Sequence, residues 1–340
     1  MISFDKKIKS YLEKLQKSPN CSREDLYRYA DYLELKCLAN KDSIYSTSDF
    51  VDDIRPRAED LGEGDFEEIE DEKKNNISKA EKNDKWETLA KEVFNIISLR
   101  TQTFKDFYPY EMTANSLAIN LKPEIDLKNQ VYFFLLFSSN LQFTGDFTNT
   151  FTSSFEFISR EVLKSFLPKN AIVKLFASSN TEIKKDWVVN ESKFWDKLKY
   201  LEDFLKSKII IEESEINRYN KGDGGLDLVG KIPIDDQSHF PVIFGQCACS
   251  PDDWIKKQSE IKFDIWRQKI NLHTIPQYYI FIPQNYRDSQ GNWFRQSNIH
   301  DTILIDRQRI LNNFKKVNKF QKYASFEIVK NIIETKENTF

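Results

Sequence analysis

Gly222-Asp223-Gly224-Gly225-Leu226-Asp227-Leu228-Val229-Gly230, with Phe244-Gly245-Gln246-Cys247-Ala248-Cys249 after it, is the stretch on which the reading of this chain turns. Five of the nine glycines fall between residues 222 and 245. Gly224 and Gly225 permit positive φ and a bare backbone, so the chain can turn tightly or approach a ligand closely. Leu226, Leu228 and Val229 predict a half-buried strand that carries one acid, Asp227, beside the turn. A second strand, Val242-Ile243-Phe244, ends in the polar side chain of Gln246. If the two strands pair antiparallel, acid and amide converge on a single cation. A plain hairpin with a glycine-rich turn and a capping aspartate would use the same residues, so the surroundings decide. Ser250-Pro251-Asp252-Asp253 is a helix start, with Ser250 as N-cap, proline at the first helical position and Asp253 at the capping-box position. A helix over 251–272 is expected, leading into the strand Tyr278-Tyr279-Ile280-Phe281-Ile282.

The stretch 222–283 resembles the PD-(D/E)xK nuclease superfamily, most closely its Mrr-like restriction endonuclease branch. Those proteins carry a G-x-G-G-h-D segment, h being apolar, and then an (E/Q)-x-K strand. The resemblance implies an α+β or α/β fold with a restriction-endonuclease-like core, a central mixed sheet flanked by helices. It implies Asp227 as the metal-binding aspartate, Gln246 as second ligand and the Cys247 backbone carbonyl as third, with Mg²⁺ or Mn²⁺ as cofactor. DNA is then the substrate, and restriction or antiphage defence the service.

One position departs from that pattern: Ala248 stands where the lysine belongs. Either the site is dead or the lysine has moved. Some members of the superfamily supply the ammonium from the helix after the second strand, and Trp254-Ile255-Lys256-Lys257 offers one. On a helix from 251, Trp254, Gln258, Ile261 and Ile265 mark the buried stripe. Lys257 borders it and Lys256 points further round, so Lys257 is the candidate. The superfamily also uses a glutamate on a helix before the metal strands. Ser153–Leu163 reads as that helix, with Glu156 the best match and Asp196, in Phe194-Trp195-Asp196-Lys197-Leu198, its rival. Either acid also fits a solvated first turn favoured by the helix dipole.

These residue types suit phosphodiester hydrolysis. A hard divalent cation polarises the phosphate and lowers the pKa of a water, and Mg²⁺ prefers a few oxygen ligands with water in its remaining positions. Lys257 would orient the attacking water or offset developing charge. Glutamine in place of glutamate removes one negative charge, so weak metal binding that leans on substrate is expected. Ala248 equally fits a nuclease-fold subunit that binds nucleic acid or scaffolds without cutting. The metal chemistry does not identify the sugar, which leaves an RNase open.

Charge divides unevenly along the 340 residues. Residues 1–150 hold 21 Lys+Arg against 28 Asp+Glu, and the rest 29 against 25, so the nuclease-like half is the basic one. Lys193, Lys197, Lys199, Lys206 and Lys208 could form one basic face, and Lys315, Lys316, Lys319 and Lys322 another; solvated helix faces look the same. Four cysteines and three histidines show no zinc spacing and no disulfide framework, so small buried thiols are expected. With no signal-peptide pattern and no apolar run of transmembrane length, a soluble cytoplasmic protein is expected.

Upstream, 3–17 and 22–39 read as helices, and 40–76 as a mobile loop with nine acids between 59 and 72. A helix over 84–104, a strand at Ser116–Leu121 and a central helix around Val131–Phe137 follow. Residues 1–150 thus form a mainly helical domain, 151–310 the nuclease-like core, and 311–340 a C-terminal helix after the strand and helix start of 301–309. No sequence-reading module is visible, so a partner protein would supply targeting or activation, and a homodimer is compatible.

Overall fold

The computed structural model describes residues 7–8, 10–11, 14, 25–60, 79–176, 193–217, 222 and 224–339. Within these, the chain divides into two units, Met1–Tyr132 with Tyr286–Phe294 and Lys330–Phe340, and Phe133–Asn285 with Arg295–Val329. The sequence pattern predicts a boundary at 150 instead. The division falls inside one helix, because Phe134 and Phe137 pack on Phe151, and Phe134 on Phe320, all in the second unit.

The first unit holds α1 (Leu26–Ala39), β1 (Ile44–Ser46), α2 (Thr47–Asp60), α3 (Lys79–Phe104), β2 (Tyr110–Met112) and β3 (Ala118–Leu121). The three strands form an antiparallel sheet in the order β1-β3-β2. The expected loop from 40 is corrected here. Phe50, Val51 and Ile54 line one face of α2 and are buried, an apolar stripe that the density of acids hides in the sequence. Residues 61–78, with most of the acidic run, lie outside the described residues. At the centre of the unit Arg100 is buried, 2.8 Å from both Asp31 and Glu34, and donates to the Tyr27 carbonyl at 3.0 Å. Burial lowers its pKa, but the charges of Glu34 and Asp31 outweigh that and hold it above its ordinary value. Tyr108 and Tyr132 also donate to Glu34, which keeps the buried acid satisfied.

The central helix α4 (Leu127–Ser138) carries the chain into the second unit, every residue from Val131 to Phe137 being fully buried. There follow α5 (Thr148–Phe166), β4 (Ile172–Leu175), α6 (Phe194–Leu205), β5 (Leu228–Lys231), β6 (Val242–Cys247), α7 (Trp254–Lys257), α8 (Phe263–Trp266), β7 (Gln277–Phe281), β8 (Ile303–Ile305), α9 (Arg307–Asn313) and α10 (Ala324–Thr339). The five strands make one mixed sheet in the order β4-β5-β6-β7-β8. The pairs β4·β5 and β5·β6 are antiparallel, whereas β6·β7 and β7·β8 are parallel. The fold is therefore α/β with a mixed sheet and flanking helices, as expected at that level. Strand β4 is not legible in the sequence, its Ala-Ile-Val-Lys-Leu-Phe being too short to separate from the end of α5.

The expected long helix 251–272 is corrected as well. It is two single turns, α7 and α8, separated at 258–262. Gln258 explains the break. Its amide donates to the Ile255 and Asn298 carbonyls and accepts from the His300 amide and the Thr302 hydroxyl, tying the chain to the segment before β8. Trp254, Gln258 and Ile261 of the expected stripe are buried, but Ile265 is exposed.

Candidate functional site

Side-chain alternation along β6 fixes two faces. Val242 and Phe244 point into an apolar layer shared with Leu198 and Leu201 of α6, Val229, Ile261 and Trp266. Gln246 follows on that face, and Cys247 takes the opposite one, with Gly245 and Ile243. The turn before β5 has the expected backbone: Gly224 and Gly225 have φ of +66° and +82°. A Cβ on Gly225 would come within 2.5 Å of Glu260, so this glycine is required twice, for conformation and for space.

Asp227 sits at the entry to β5, buried, with its backbone held from both sides. Its amide donates to the Gly245 carbonyl at 3.0 Å, and its carbonyl accepts from Phe176 at 2.7 Å. Leu228 is the residue opposite Gly245, so two residues of one strand share one of its neighbour, the signature of a bulge that re-aims a side chain. The Asp227 carboxylate is aimed at β6, where Oδ2 accepts the Cys247 amide at 2.6 Å. In an extended strand the amide and carbonyl of one residue face the same edge, so the Cys247 carbonyl also turns towards Asp227.

The other expected residues are linked to this pair through two thiols. Burial raises the Cys247 thiol, followed by the charges of Asp227 and then Glu156. Burial also raises the Cys249 thiol, with Glu156 adding to the shift, Lys257 opposing it and Asp227 adding again. Asp227, Glu156 and Lys257 are thus within electrostatic reach of one spot at the end of β6. Lys257 is half-buried and Lys256 exposed, the difference expected from the stripe. Asp196 lies in the first turn of α6.

Gln246 is the exception. It is buried, yet its Oε1 has no hydrogen-bond partner among the described residues, and alternation sends it to the face opposite Cys247. The site therefore has Asp227 and the Cys247 carbonyl at the edge between β5 and β6, with Gln246 on one face and the Cys247 thiol on the other. No three His, Cys, Asp or Glu side chains among the described residues are grouped to hold a metal. A set of one carboxylate, one amide oxygen and one backbone carbonyl contains only a single such residue. Sequence reasoning missed Glu260, whose carboxylate lies against Gly225. The paired glycines were its only trace, because they mark a close approach without naming what approaches. Among the described residues Cys37 and Cys249 are buried and Cys247 half-buried, and none of the three is in a disulfide. No helix among the described residues is long and apolar enough to cross a membrane. No family model, curated protein or solved structure matches the chain.

Proposed function

We propose that the second unit hydrolyses DNA phosphodiesters with a divalent metal, as a variant of the Mrr-like PD-(D/E)xK nucleases, with target choice or activation supplied by a partner protein. The observation that carries this reading is the bulged Asp227, bonded across to Cys247, with Glu156 and Lys257 in electrostatic reach of Cys249 two residues on. The sheet supports it too: the acid strand pairs antiparallel with the glutamine strand, which pairs parallel with the strand after the intervening helical turns.

The donors suit Mg²⁺ or Mn²⁺, being hard oxygens, and the buried, unbonded Gln246 Oε1 is an acceptor in search of a cation or donor. Bound there, the ion would supply Lewis acidity at the phosphate and a more acidic water. Asp227 and the Cys247 carbonyl would hold it, with Gln246 completing the set after a change of rotamer. Lys257 would orient the attacking water or meet the charge that develops on the phosphate. Glu156 would bring a second carboxylate near that water.

Ala248 favours a second reading, a nuclease-fold subunit that binds nucleic acid or scaffolds without cutting. Purified protein incubated with plasmid DNA and with RNA, in Mg²⁺, Mn²⁺ or EDTA, separates the readings. Metal-dependent nicking of plasmid, abolished by EDTA, is the expected result. Cleavage of RNA alone would reassign the substrate, and binding without cleavage under every condition would leave the scaffold.

A further inference from the structure

Glu161 of α5 is a buried acid under a group of cations. Its Oε1 lies 3.1 Å from Arg160 and 3.9 Å from Lys164, and its Oε2 lies 3.2 Å from Lys316 and 3.0 Å from Lys319. Burial would push the carboxyl up, but the Lys319 hydrogen bond and the charges of Arg160, Lys319 and Lys164 outweigh it and hold it at about 2. One buried anion therefore gathers four cations. The distribution is lopsided: the side chain of Glu161 is 2% exposed, while those of Lys316, Lys319 and Lys164 are 58%, 42% and 38% exposed. Between Asp306 and Glu327 the chain is basic, with six Lys+Arg and no Asp or Glu over 307–326. The aromatic pair Phe157–Tyr323, centroids 4.5 Å apart, and Arg160 stacked 4.3 Å over Phe157 stiffen the ground beneath it.

We propose that this cluster is a docking surface for the phosphate backbone of duplex DNA. The proposal rests on the nuclease reading, which makes a phosphodiester chain the partner with the matching charge. Several ammoniums held near one another on two elements meet successive phosphates, whereas one buried carboxylate cannot neutralise them. Glu161 acts as the organiser: it holds lysines that would otherwise repel and splay apart. It follows Glu156 on α5 by five residues, about 7.5 Å along the helix axis. Five residues also turn the helix by about 140°, so the two acids leave α5 on different sides.

The test uses the full chain carrying Asp227→Asn, in EDTA, with a short fluorescent duplex and anisotropy read across a salt series. Replacing both lysines, Lys316→Ala with Lys319→Ala, should make the slope of log affinity against log salt shallower by about 1.8, or 0.9 for each phosphate no longer neutralised. The pair Lys316→Arg with Lys319→Arg keeps the charge and should keep the slope, with circular dichroism checking the fold of both. An unchanged slope in the alanine pair, or an equal loss in the arginine pair, would overturn the docking surface. Because binding is read without cleavage, this outcome is distinct from the failure of the nuclease reading, which shows as DNA bound and never cut by the unmutated chain.

Discussion

Replacing Asp227 separates its chemistry from its part in the fold. Its Oδ2 accepts the Cys247 amide at 2.6 Å within a buried bulge, so the side chain is both a candidate ligand and a structural acceptor. Asp227→Ala leaves that amide without an acceptor. A lost hydrogen bond to a charged group costs about 1.5–3 kcal/mol. For a unit of this size that lowers Tm by roughly 3–12 °C, at about 2–4 °C per kcal/mol. Asp227→Asn keeps a side-chain oxygen for the amide and loses only the charge, so its melt should fall by much less. Both variants should lose cleavage, by at least about 10²-fold, the scale on which one preorganised electrostatic contact acts. The assay is plasmid nicking in Mg²⁺ beside a thermal melt. A third readout comes from the thiol: because the Asp227 charge is the largest push on Cys247 after burial, its neutralisation should bring that thiol's titration down. Asp227→Asn that melts like the parent and cuts at the parent rate would refute the assignment.

Three further outcomes follow from the same geometry. Lys257→Ala should lower cleavage by about 10²–10³-fold, whereas exposed Lys256→Ala should cost little; parent-like cutting by Lys257→Ala would remove it from the mechanism. Gln246→Glu should lower the Mg²⁺ concentration for half-maximal cleavage, measured by metal titration, and an unchanged requirement would mean that this side chain never reaches the ion. Glu161 should show in acid unfolding. Its carboxyl is held at about 2 against an ordinary 4.5, so its contribution to stability is present above about 4.5 and is lost as pH falls towards 2. The stability gap between the parent and Glu161→Gln, read from denaturant midpoints, should therefore shrink through that window.

What could be read from the sequence was set by how local its cause is. The positive φ of Gly224 and Gly225, the buried run 131–137, the strands at 242–247 and 277–281, and the bias of Lys257 over Lys256 all depend on neighbours a few residues away. The broken helix at 258–262 depends on Asn298, His300 and Thr302, which no window around 258 contains. Gln246 illustrates the same limit from within a correct strand. Its position was legible, but its face follows from Phe244 and Val242 being drawn into a layer built by α6 and Trp266. Helix α2 was lost for a different reason: a charge-rich composition looks like solvent exposure unless the spacing of Phe50, Val51 and Ile54 is weighed first. Glu260 could not be read because a glycine records the need for room and not the identity of the neighbour.

The mixed sheet of the second unit also sets an order of assembly. Strands β5 and β6 are joined by residues 232–241 with no helix between them, which makes theirs the most local pairing in the sheet. Strand β4 must wait for the long excursion through α6, and β7 and β8 for their parallel crossovers, each of which spends loop entropy before it gains a ladder. The bulge and the Asp227–Cys247 bond lie within that local pair, so these two residues are expected to meet before the sheet is complete. Mutations at 227 or 247 should then slow folding, while changes along β8 should chiefly hasten unfolding.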